Sequence, residues 1–232
     1  MIKRAAALLL LTIIGGIFFT LLTGYSADEN LNLTAQYYAE NTAKDIGAAN
    51  IVTAIIVTYR GLDTLGEVTV LFLAAAIVGL VLARSRGAGA AQTVKAPVGE
   101  LLTTGSHSLL PLILLLGIYI FVNGHLTPGG GFQGGAVVAS AMLLLLLANP
   151  VKRFNHRLIS IIESFSGFSY VVIGVLGLLL AGGFLDNRIL PIGEFGQLFS
   201  AGAIPLIYSL IGLKVGAEFS SILSNLSEAE EL

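Results

Sequence analysis

The sequence is built on apolar runs long enough to cross a lipid bilayer. Residues 5 to 23, AAALLLLTIIGGIFFTLLT, hold no charge, and comparable runs recur down the chain. A helix rises about 1.5 Å per residue, so crossing the hydrocarbon core takes about 20 residues. Composition agrees: 55% of the 232 residues are hydrophobic and 11% are charged, against about 25% charged in a soluble domain. So little charge cannot cover a water-facing surface. The chain reads as an integral membrane protein of the all-α class, because only helices and closed barrels satisfy the backbone in lipid and these runs are too long for barrel strands.

Six spans are expected, at residues 5–23, 64–84, 107–123, 131–148, 159–183 and 196–218. The first follows Lys3-Arg4, which also describes a signal peptide, but the run is long for one and Tyr25-Ser26-Ala27 is a poor cleavage site. It is expected to be an uncleaved anchor. Residues 24–45 are polar and acidic, with Asp28, Glu29, Glu40 and Asp45. NIVTAIIVTY, residues 50–59, is too short to cross and is expected to be a half-length helix, re-entrant or interfacial. Pro111 is expected in the first turn of the third span, where a missing N–H costs little. RGAGAAQ marks the best boundary between two halves, residues 1–95 and 96–232. Basic residues set the orientation. Six spans place Lys3, Arg4, Arg84, Arg86, Lys95, Lys152, Arg153, Arg157 and Lys214 on one side, and Lys44, Arg60 and Arg188 on the other. Both termini are therefore expected to be cytoplasmic.

The chain has no cysteine and only three histidines, His107, His125 and His156, far apart in sequence. Thiolate metal sites, iron–sulfur ligation and a histidine metal cluster are not expected, so no cofactor and no metal are assigned. A net charge of −2 gives no reason to expect a nucleic-acid partner.

An ionisable side chain inside a membrane is a functional candidate by default. Glu67 is the sharpest. Asp63 lies four residues before it, on the same helical face, and two close carboxylates in apolar surroundings resist joint ionisation. A carboxylate that exchanges a proton or trades it for a cation suits an ion path; the plainer reading is an Arg60–Asp63–Glu67 cluster that sets helix height. His125, at the end of the third span, is a candidate proton relay or a structural residue. Glu163, about five residues into the fifth span, reads as facing a polar cavity or, more plainly, as pointing back to the cytoplasmic interface. Lys214 and Glu218, four apart, read as an interfacial pair with a snorkelling lysine.

NGHLTPGGGFQGG, residues 123–135, lies between two spans. It lacks the lysine of a phosphate loop, and no βαβ unit fits a dinucleotide fold. A plain linker is disfavoured by Phe132 and by the apolar run that follows. A broken helix start remains, spanning Pro128, Gly129, Gly130, Gly131, Phe132, Gln133, Gly134 and Gly135. Gly130, Gly134 and Gly135 would admit another backbone, as small residues do in membranes, and Gln133 would bond exposed backbone groups.

GHLTPGGGFQGG, residues 124–135, closely resembles the signature of the B subunit of Mrp-type multisubunit Na+/H+ antiporters, a domain shared with related membrane-bound hydrogenases and sulfur reductases. The resemblance covers about residues 100–222. VTAIIVTYRGLDTLGEVTVLF, residues 52–72, resembles the segment that ends the large A subunit of those antiporters and is a separate small subunit in the hydrogenases. It implies that Glu67, the glutamate of DTLGE, takes part in ion translocation. It also implies other membrane subunits as partners, Na+ and H+ as transported ions, and the cytoplasmic membrane as location. Here both segments lie on one chain, which points towards the antiporter module of a respiratory complex as well as a stand-alone antiporter. Three readings stay open: a transport subunit; a scaffold that seals and positions neighbouring ion-path subunits; and membership of a hydrogenase or sulfur reductase complex without a redox centre on this chain. A self-contained channel is weaker, for lack of any ring or inverted repeat.

Overall fold

The computed structural model describes residues 2–25, 30–85, 99–150 and 154–229. Its elements are α1 (Ile2–Gly24), α2 (Leu33–Asn41) running into a π-helical turn (Thr42–Ile46), and α3 (Ile51–Ala54) running into a second (Ile55–Tyr59). Then come α4 (Gly61–Ser85), α5 (Glu100–Val122), α6 (Gly131–Ala148), α7 (His156–Leu180), a 3₁₀ turn (Asn187–Ile189) and α8 (Ile204–Ala229). No strand occurs among the described residues. Six helices, α1 and α4 to α8, are long and apolar enough to cross a membrane. The expected all-α fold with six spans is therefore what the chain adopts. The 1–95/96–232 boundary, Tyr25-Ser26-Ala27 beyond its tyrosine, Arg86, Lys95, Lys152 and Arg153 fall outside the described residues, as does the side chain of Arg84.

The chain divides into two compact units, Met1–Tyr37 and Tyr38–Leu232. The first is dominated by α1, apolar on every face. In the second, α8 is the hub: it packs against α4, α5, α6 and α7, while α5 pairs with α6. Burial follows that placement, with 61% of the apolar window of α8 inside the protein against 6% for α4. The half-length segment is a short helix over residues 51–59, started by Asn50, whose side-chain oxygen accepts from the backbone N–H groups of Val52 and Thr53. Such a cap satisfies donors that the first turn leaves orphaned.

Three expected boundaries differ. The third span begins at Glu100, so Pro111 sits well inside α5. Its side is exposed, and a spanning helix tolerates one missing N–H. The fifth runs from His156 to Leu180, earlier than expected, capped at its start by the Asn155 side chain accepting from Leu158 N–H. The sixth begins at Ile204, about two turns later than expected. Its supposed first turns are loop, with Gly196, Ala201 and Gly202 at positive φ, a backbone state that a right-handed helix excludes. Its far end runs past Glu218 because serines there meet their own needs: Ser220 Oγ donates to Gly216 O at 2.6 Å.

Candidate functional site

Glycine explains how the chain reverses between α5 and α6. Gly129 and Gly130 have φ of +147° and +156°, open to glycine and nearly closed to other residues. Gly130 caps α6 and Gly131 begins it. Beyond the turn the glycines serve packing. A Cβ on Gly134 would lie 2.6 Å from Gly117 O on α5, and one on Gly135 would lie 2.8 Å from Gly212 O on α8. One at Gly131 would meet Ile211 Cβ at 2.5 Å, and one at Gly130 would meet Tyr208. Phe132 packs against the core and Pro128 is exposed. Gln133 does not take the expected role. Its side chain is exposed, and the loop's backbone is satisfied from elsewhere.

That partner is Asn50. Its Nδ2 donates to Gly124 O at 2.9 Å and to Thr127 O at 3.0 Å, while its backbone N–H donates to His125 O at 3.0 Å. Thr53 Oγ1 also donates to Gly124 O, and receives from the Tyr208 hydroxyl on α8 at 3.1 Å. One cap residue thus fastens the short helix to the glycine loop. The sequence carries a signal for it: an Asn directly before an apolar run is a cap signature. Its second set of bonds, 74 and 77 residues away, has no local trace.

His125 is fully buried, with Nε2 3.3 Å from Gln197 O and Nδ1 unpartnered among the described residues. Burial pushes its pKa below the ordinary 6.5, against backbone contacts at Gln197, Val122 and Leu198 that favour the charged form. In the same loop layer, Asn187 Nδ2 donates to Ile46 O and Ala201 O. Asp186 accepts from the Arg188 guanidinium. Burial opposes the charge on Asp186, but the hydrogen bonds from Arg188 outweigh it and hold the carboxyl below its usual range.

Asp63 and Glu67 lie on one face of α4, and both are exposed on this chain. Asp63 is held by Arg60 at 2.5 Å. Glu67 lies six residues into α4, about 9 Å along the axis. A carboxylate there faces either lipid, which is costly, or another protein surface. The structure does not bring His125 to these two within any recorded contact.

A second charged group carries more weight than its spacing suggests. Lys214 and Glu218 are not an interfacial pair: they sit in mid-helix on α8, 8% and 0% exposed, with Nζ 2.7 Å from Oε1. The contact is close but its angles fall outside hydrogen-bond geometry, and Glu218 Oε2 has no partner among the described residues. Lys214 Nζ also stands 5.0 Å from the centre of the Phe72 ring on α4. A span drawn two turns early puts this pair at a helix end, where a lysine can reach water; the true span of α8 puts it inside.

Comparison with known proteins places this architecture. Residues 3–100 match the MbhE family, a component of MBH. An uncharacterised protein of Methanocaldococcus jannaschii is 31% identical over 217 residues, covering 78% of this chain and 82% of the relative. A chain in the structure of a membrane-bound sulfane sulfur reductase, an archaeal respiratory membrane complex, superposes with a TM-score of 0.82 at 41% identity, covering 97% of this chain and 98% of that one. A chain of the Mrp complex from Dietzia sp. shares the fold, with a TM-score of 0.77 at 24% identity, and this chain spans 26% of it. Residues 101–221, more than half of the sequence, match the model of the domain related to the MnhB subunit of Na+/H+ antiporters, and the chain belongs to that family.

Proposed function

We propose that the chain is one membrane subunit of a cation/proton-exchanging module within a larger respiratory assembly, with Glu67 on the ion path where α4 meets a neighbouring subunit. The observation that carries this is the exposure of Glu67 inside a spanning helix. The residue is exposed on this chain while its charge is felt by the buried Tyr170 and Tyr208, so it stands between the chain's own core and a surface that a neighbouring subunit would complete. Asp63, tied to Arg60, tunes the field at the mouth. The respiratory setting is favoured over a stand-alone antiporter by chain length. The sulfur reductase chain is matched along almost all of its length, and the Mrp chain along about a quarter. Both termini face the cytoplasm in this reading, by the distribution of basic residues. The two halves divide the work: residues 1–95 carry the exchanging carboxylate, and residues 96–232 form the tightly packed body, in which Gly130 to Gly135 close α6 onto this chain's own α5 and α8.

The scaffold reading has its own support in the tight, nearly uncharged α5–α6–α8 packing. One experiment separates the two. The whole complex is reconstituted in vesicles and Na+-dependent proton exchange is followed with Glu67→Gln against wild type, after assembly is checked on a native gel. Assembly with exchange reduced by roughly a hundredfold supports the ion path. Assembly with unchanged exchange leaves the scaffold.

A further inference from the structure

The Lys214–Glu218 pair adjoins a cavity that the function above does not use. The cavity measures about 300 Å³ and is lined by Thr69 and Phe72 of α4, Glu163 and Gly167 of α7, and Lys214 itself. It opens between α4 and α7, where Thr69 and Ser164 are exposed. At roughly 30 Å³ per molecule it has room for several waters. Gly167 lies alongside the lysine stem: a Cβ there would make ordinary contact with Lys214 Nζ at 3.4 Å.

The charge count is the key. Lys214 contributes +1, and Glu218 and Glu163 each contribute −1, so the group carries −1 formally. α6, which packs against α8, has no charged residue, and Tyr170 is the other titratable group that α7 brings to this cavity. α4 brings Glu67 near it: that carboxylate does not line the cavity, but its charge acts on Tyr170, which does. A lone uncompensated charge in a bilayer is expensive. One more monovalent positive charge neutralises the group.

We propose that Glu163, Lys214 and Glu218 form a second proton-binding site in this chain, filled through the α4–α7 cavity. A proton arriving through the cavity forms an O–H bond on Glu163 and the group becomes neutral. Lys214 then gives a proton from Nζ to Glu218 Oε1, 2.7 Å away, breaking N–H as O–H forms. The amine recovers a proton from Glu163 through cavity water. The net change is one proton moved from Glu163 to Glu218, with the lysine's charge restored. This site rests on the reading of the chain as part of a proton-exchanging module, but it is distinct from Glu67.

A buried ion pair can also be purely structural, and replacing one by apolar residues of similar volume is often neutral or stabilising. The test uses the reconstituted complex with two variants: Glu163→Gln alone, and Lys214→Met with Glu218→Met together. Both are expected to assemble and to slow proton exchange by roughly tenfold or more. Glu163→Gln also shifts the pH profile of exchange and removes a protonated-carboxyl band from the infrared spectrum of the purified complex. The proposal is overturned if the assembled double variant exchanges at the wild-type rate, or if Glu163→Gln leaves rate, pH profile and spectrum unchanged. Should the double variant fail to assemble, Glu163→Gln decides. If Glu67→Gln stops exchange and these variants do not, only this site falls; a wild-type complex without exchange removes both readings.

Discussion

Asn50 joins two elements that lie far apart in sequence. It caps its own helix and ties down two carbonyls of the loop. Asn50→Ala removes these side-chain bonds and keeps its backbone bond to His125. At about 1 kcal/mol per bond, with a cap worth about the same, the loss is about 2–3 kcal/mol. Thermal unfolding of the detergent-solubilised protein, followed by circular dichroism, should show a correspondingly lower midpoint. His125 makes a different prediction. Its folded pKa lies below the unfolded value of 6.5, so the unfolded chain binds more protons and stability rises with pH. The contribution is present above about pH 6.5 and is lost as pH falls through the folded pKa. Melts between about pH 5 and 8 should show this slope, and His125→Gln should flatten it.

At the scale of elements, the α5–α6–α8 contact depends on absent side chains. Gly117 and Gly134 face each other across α5 and α6, and Gly135 and Gly212 across α6 and α8. Gly134→Val would drive its Cβ against Gly117 O and Phe121. Overpacking of this kind costs about 1–3 kcal/mol where neighbours can give, and a backbone carbonyl gives little. The variant should be lost from the complex on a native gel. Gly105→Val, on α5 with nothing within 4 Å of its added Cβ, should assemble as wild type. The difference lies in the neighbour, since both positions are glycines on spanning helices.

At the scale of the whole molecule, the second unit has one hub and two kinds of charged site. α8 gathers four helices around it. The buried Lys214–Glu218 pair meets the α4–α7 cavity through Lys214. Glu67 is exposed on α4. Glu67 is exposed on this chain, so Glu67→Gln should leave the chain's own folding nearly unchanged. Its melting midpoint should match wild type even where exchange is lost.

Much of this is legible in the residues. Apolar length dictates six helices, because lipid offers the backbone no other hydrogen-bond partner. The glycine run announces a broken helix start and close backbone approach, because glycine alone permits both. What stays hidden depends on distance in sequence or on where a helix stops. Polar loop and polar helix look alike when Ser and Asn are satisfied locally, so α8 reads two turns too early and its buried pair looks interfacial. The partner of the glycine loop is illegible for a similar reason: Asn50 signals its own cap, while its bonds to Gly124 and Thr127 exist only once packing has brought the short helix there. Local chemistry is written in neighbouring residues; burial and long-range pairing are created by the tertiary structure.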